Sequence, residues 1–133
     1  TVDILRALTF VFVAVDDGPS RQCICTACDR FGIPFVDVGM GLSKGAAGLF
    51  GFVRTSGGQP GDFDLLVGTQ YLPAENPHDN EYRRQPQIAE LNALNAAIAV
   101  IRFKQHFGFF DRLTDAAAQV FDVAALSIDP FRA

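Results

Sequence analysis

Hydrophobic and polar positions along the chain fall into blocks with distinct periods. Thr9 to Val15 is an unbroken apolar run of β-branched and aromatic residues, the pattern of a strand buried on both faces of a parallel sheet. It stops abruptly at Asp16-Asp17-Gly18-Pro19, where Asp17 or Gly18 can cap a helix and Pro19 suits its first turn. The helix should end at Gly32 before Pro34, with Ser20, Cys23, Ile24, Ala27, Cys28 and Phe31 forming the stripe laid on the sheet. Ile33 to Val38 reads as the next strand, which completes a β-α-β unit.

The pattern then changes. Leu49 to Thr55 and Phe63 to Tyr71 read as an antiparallel pair joined by Ser56-Gly57-Gly58-Gln59-Pro60-Gly61. Leu72 to Pro86 is polar and punctuated by proline, a long loop of the kind that is usually functional or mobile. From Gln87 to Phe107 the chain predicts its longest helix, with Ile88, Leu91, Leu94, Ile98 and Ile101 on one side. Ala89, Ala93, Ala96, Val100 and Phe103 fill much of the other, so it is expected to be buried nearly all round. Gly108 should end it, after Lys104 and His106 in the last turn. Ala116 to Val123 looks helical, and the role of 113–133 is left open. The expected class is α/β: a mixed sheet of parallel strands followed by antiparallel ones, plus a long buried helix.

Composition narrows the picture. At 133 residues with 49 % hydrophobic positions and thirteen Phe, one domain with an ample core is expected. A formal charge of −4 with no clustered Lys or Arg leaves no stripe to neutralise a phosphate backbone, so nucleic acid is not the expected partner. No apolar run approaches the ~20 residues of a membrane span. Cys23, Cys25 and Cys28 are too clustered for a secreted disulfide framework and predict a reducing, cytoplasmic setting. Met40 is the only methionine, so the chain is expected to be processed or part of something longer.

In open α/β sheets ligands gather beyond the carboxyl ends of parallel strands, which is where Asp16 and Asp17 stand. A carboxylate there can hold Mg²⁺ against phosphate oxygens, or it can simply turn the chain and cap the helix. Gly39-Met40-Gly41-Leu42-Ser43-Lys44 follows a strand but fails as a dinucleotide fingerprint, because Lys44 stands where glycine is needed and an extended segment follows. Zinc would need a fourth ligand for the cysteines, with only the distant His78 and His106 on offer. Core packing is expected for Cys23 and Cys28, and partial exposure for Cys25. Arg83-Arg84 can meet an anionic partner, although a solvated loop is the simpler role.

Certain residues carry more than periodicity. Phe12 to Arg21, then Gly32-Ile33-Pro34-Phe35-Val36-Asp37-Val38-Gly39, resembles the second half of the ThiF and MoeB type domain of ubiquitin-activating-enzyme-like adenylyltransferases. That pattern sets an aspartate at a strand end with an arginine five residues on, as Asp16 and Arg21 are here. The run from Gln87 to Ala97, continuing to Gly108-Phe109-Phe110, is similar to bacterial members. The resemblance implies a partial Rossmann-like three-layer sandwich over 1–112, with 113–133 as an extension. It also implies a homodimeric parent that uses ATP and Mg²⁺ to adenylate the terminal carboxylate of a ubiquitin-like or sulfur-carrier protein. Asp16 would be the catalytic, metal-associated carboxylate, with Asp17 and Arg21 beside the nucleotide; a shift of one in register would exchange Asp16 and Asp17. The family's glycine loop, ribose-binding acid and triphosphate-holding arginine and lysine are expected upstream of Thr1, so this chain alone is expected to be inactive. No cysteine between Gly61 and Pro86 matches the thioester-forming members, and the zinc-binding cysteine pairs of other relatives are missing. A noncatalytic protein-binding module on the same scaffold is the competing expectation. A nicotinamide or flavin oxidoreductase ranks last for want of the fingerprint.

Overall fold

The computed structural model describes residues 2–76 and 88–131. A short helix α1 (Val2–Leu5) leads into β1 (Val11–Val13), α2 (Gly18–Arg30), β2 (Phe35–Lys44) and β3 (Leu49–Gly57). Then come α3 (Asp62–Leu66), α4 (Ala89–His106), β4 (Ala118–Asp122) and β5 (Ser127–Phe131). The strands form one mixed sheet in the order β1-β2-β3-β4-β5, parallel between β1 and β2 and antiparallel thereafter. The α/β class and the switch from parallel to antiparallel pairing match the sequence reading.

Strand alternation distributes the core. Val13, Phe35, Cys25, Cys28, Leu66 and Leu72 cluster between the sheet and α2 with α3, while Leu42 and Val53 join Ile88 and Leu91 against α4. Helix α2 starts where expected, with Asp17 as N-cap and Pro19 in its first turn, and stops at Gly32, whose φ of +65° lets the chain turn away. Gly108, at φ +77°, likewise follows the end of α4.

Several expectations are corrected. The strand expected at Ile33 to Val38 runs instead from Phe35 to Lys44, so the Gly39 to Lys44 stretch is strand and not loop. A tight turn, with the Gly45 amide donating to the Gly48 carbonyl at 2.7 Å, then makes β2 and β3 a hairpin. Phe63 to Tyr71 is not β3's partner but α3 and the turns after it. Local side-chain bonds accompany the helix and turns: Asp62 accepts from the Gln59 amide at 3.0 Å, and Thr69 Oγ1 donates to the Leu66 carbonyl at 2.6 Å. The true second partner of β3 is β4, built from the Ala116 to Val123 segment expected to be helical. Ala116, Ala117 and Ala118 are buried, Ala117 and Ala118 within the core cluster of Val13 and Phe35, while Arg102 donates to the Ala116 and Gly57 carbonyls at 2.8 and 3.1 Å.

Helix α4 is not covered all round. Leu91, Asn95, Ile98, Ala99 and Arg102 are buried, but Val100 and Ile101 are exposed, because one sheet face can cover only one side of a helix. On α2 the buried face is Gly18, Arg21, Cys25 and Cys28. Cys25 is therefore core and Cys23 exposed, the reverse of the expectation, since Arg21 turns inward to meet Asp37. The long loop's far half, with His78 and Arg83-Arg84, lies outside the described residues.

Candidate functional site

The parallel register of β1 on β2 ends at Val13↔Asp37, yet β2 continues to Lys44. The space left beside the longer strand is a cleft of about 780 Å³. Ala14, Val15 and Asp16 from the end of β1 line it, with Arg21, the loop residues Pro73, Glu75 and Asn76, and Asn92 and Asn95 of α4. It lies where ligands are expected in an open sheet, beyond the carboxyl end of a parallel strand.

Two adjacent aspartates part ways here. Asp16 is exposed, lines the cleft, and pairs with no side chain among the described residues. Asp17 is occupied by structure: Oδ2 accepts from the Ser20 amide at 2.8 Å and Oδ1 from Asn76 Nδ2 at 3.1 Å. Asn76 Oδ1 in turn accepts from the Gly18 amide at 2.7 Å, which ties the loop to the first turn of α2. A side chain at Gly18 would meet the Ala74 and Glu75 backbone at 2.8 Å, so this junction requires glycine.

The bonds from Ser20 and then Asn76 hold the Asp17 carboxyl below its ordinary range. A lowered acid stabilises the fold while ionised, and that contribution is lost as pH falls through the folded-state pKa. Asp17→Ala should therefore lower the melting temperature at pH 7, and the gap to the native chain should close as pH drops below 3.8. Melting curves across pH 2.5 to 7, taken here as roughly the range that brackets carboxylate titration, check this. A gap independent of pH would mean that the cap does not act through its charge.

Arg21 lines the cleft but is buried and fully engaged. Its Nε donates to Asp37 Oδ1 at 2.8 Å and its Nη2 to the Val15 carbonyl at 2.6 Å, so it fastens the end of β1 to β2. Asp37, 0 % exposed, accepts a second guanidinium through Oδ2, from Arg54 Nη2 at 2.6 Å. Burial pushes the Asp37 carboxyl up, against the pull of Arg54 and then Arg21. Burial also raises the Cys25 and Cys28 thiols, which leaves them packing groups and not nucleophiles.

Sequence reasoning pointed to Asp16, Asp17 and Arg21 but passed over Asp37 and Arg54. The only signal for them was a charge inside each of two strand-like runs, Phe35-Val36-Asp37-Val38 and Val53-Arg54-Thr55. Between the strands, Asn95 of α4 donates to the Gly39 carbonyl and accepts from Thr55 Oγ1, both at 3.0 Å, and so fixes α4 against the sheet.

Among the described residues no group of three or more His, Cys, Asp or Glu is arranged to hold a metal. A single carboxylate such as Asp16 is compatible in chemistry with Mg²⁺, which usually takes one or two carboxylates and completes its shell with water and substrate phosphate. No described helix is long and apolar enough to cross a membrane. No protein-family model matches the chain, and no curated protein matches it.

Proposed function

We propose that this chain forms the acidic, carboxyl-terminal side of the active site of a ThiF and MoeB type adenylyltransferase. The reaction joins AMP to the terminal carboxylate of a ubiquitin-like or sulfur-carrier protein and releases pyrophosphate from ATP. The observation that carries the reading is Asp16: an exposed carboxylate that lines the cleft beyond the end of the parallel strand and has no side-chain partner among the described residues. Its neighbour Asp17 is engaged in capping, which favours Asp16 over Asp17 as the carboxylate for Mg²⁺ in this reading. When bound, that cation offsets charge on the phosphate oxygens during transfer.

The chain's own residues have definite tasks in this reading. Asp16 holds the charge at the cleft mouth, Arg21 fixes the end of β1 at the right depth, and Asn76 with Asp17 positions the loop that walls the nucleotide side. The placement of α2 and α4 against opposite residues of β2 supports a Rossmann-like three-layer sandwich. The exposed apolar side of α4, including Val100 and Ile101, supports homodimerisation of the parent protein.

The test is ATP–pyrophosphate exchange by the intact parent protein. Exchange should depend on both Mg²⁺ and a carrier with a free glycine terminus, and the active species should sediment as a dimer at micromolar concentration. Exchange without any carrier carboxylate, or none with any carrier tried, would sink the reading. If the protein instead retains a partner tightly with no exchange, the noncatalytic docking role takes its place.

A further inference from the structure

Arg54 is enclosed, charged and incompletely used. It is 5 % exposed and lines the cleft, yet after Nη2 is given to Asp37 its Nε finds no acceptor. A buried donor left unpaired costs free energy, and an arginine cannot escape that cost by losing its proton. Arg21 already supplies Asp37 with one positive charge. The trio of Arg21, Asp37 and Arg54 therefore carries one positive charge in excess, held inside a cleft.

The strand beneath is shaped to keep it there. Gly39 faces Arg54 across the hairpin and Gly41 faces Phe52. A Cβ at Gly39 would run into the Arg54 guanidinium, and one at Gly41 into the Phe52 ring. The two glycines that resemble a phosphate loop thus let a cation and an aromatic ring lie flat across the strand, side by side in the cleft wall. Such a surface suits an ion at the end of a slender chain.

We infer that Arg54, backed by Asp37 and Arg21, is a subsite for a single carboxylate at the end of an extended ligand. A monoanion balances the one excess charge. Asp16, Glu75 and Asp122 line the same cleft and repel a phosphate dianion more strongly than a carboxylate. The planar guanidinium also matches a carboxylate edge. The identity of the ligand as a carrier's glycine terminus rests on the proposed function, whereas the subsite rests on the geometry alone.

The experiment follows the arginine Nε–Hε resonances of the full ¹⁵N-labelled chain. The ligands added are a tetrapeptide ending in Gly-Gly, its terminal amide, and inorganic phosphate. Arg54→Lys identifies the Arg54 signal by its disappearance and keeps the positive charge beside Asp37. The Arg54 signal should shift saturably with the free-acid peptide, and at least about tenfold more weakly with the amide. Calorimetry on Arg54→Lys should show peptide affinity reduced by a similar factor. Equal response to acid and amide, preference for phosphate, or unchanged affinity in Arg54→Lys would each overturn the subsite. Peptide binding in a parent protein without exchange activity would overturn the adenylation reading and leave the subsite standing.

Discussion

On the proposed adenylation reading, Asp16→Asn in the intact protein should reduce ATP–pyrophosphate exchange by about 10²–10³-fold while the melting temperature stays where it was. Asparagine keeps the size and planarity of the side chain and removes its charge, so the substitution tests electrostatics and little else. The magnitude follows from losing one preorganised charged contact to a reacting phosphate. Stability should hold because Asp16 is exposed and makes no side-chain pair among the described residues, and such surface changes stay within about 0.5 kcal/mol. Asp17→Asn is the matched control. Asparagine also caps helices well, so the Ser20 amide keeps its acceptor and exchange should survive. The reverse outcome, with Asp17→Asn inactive and Asp16→Asn normal, would exchange the two roles; full activity in both would remove the strand end from the chemistry.

The parts of the fold that could be read from the chain are those fixed by neighbours in sequence. The Asp17 cap, Pro19 in the first turn and the stop at Gly32 are local signals, and each lies where the pattern put it, whereas the strand expected from Thr9 to Val15 is trimmed to Val11–Val13. The misread parts were decided at a distance. Phe63 to Tyr71 has the composition of a strand, but it cannot pair with β3 as expected, because β2 and β4 already occupy both sides of β3. Ala116 to Val123 has the composition of a helix, but its pairing with β3 and the burial of Ala117 and Ala118 in the core beside Val13 and Phe35 make it a strand. Burial lowers the Arg102 pKa to about 10, low for a guanidinium yet still charged near neutrality, and its bonds to the Gly57 and Ala116 carbonyls hold the far end of β3 to the segment entering β4.

The site divides in the same way. The place of Asp16 on the cleft could be read from the chain because the rule that clefts open beyond strand ends in this class of sheet needs only the strand. Arg21 was marked only by the resemblance to the ThiF and MoeB type pattern, and its inward turn toward Asp37 could not be seen in a helical wheel that ranks positions by hydrophobicity. Asp37 and Arg54 are seventeen positions apart and meet only through the register that sets Gly39 opposite Arg54. Nothing in either local segment announces that pairing. The glycines did announce something, but the backbone freedom they suggested is used as room for facing side chains and not as a phosphate loop.

Asp37→Ala should cost the largest share of stability of any single change at this site, about 3–5 kcal/mol. The carboxylate is completely enclosed and is the only side-chain acceptor that Arg21 Nε and Arg54 Nη2 have. Removing it leaves two guanidiniums facing each other in a poorly solvated space, both still charged. A domain of ordinary stability has only about 5–15 kcal/mol in hand, so the variant should be marginal or unfolded at 37 °C. Arg54→Met should be much milder, because Asp37 keeps Arg21 at 2.8 Å and no charge is left alone. If the penalty comes from stranded charge, the triple change Arg21→Met, Asp37→Leu, Arg54→Met should recover most of it, since a well-packed apolar replacement of a buried ionic cluster is often neutral or better. Urea unfolding of the three variants measures this directly. A loss below about 1 kcal/mol in Asp37→Ala would mean that water reaches the trio, and the charge excess assigned to Arg54 would then be dissipated by solvent and unable to select a ligand.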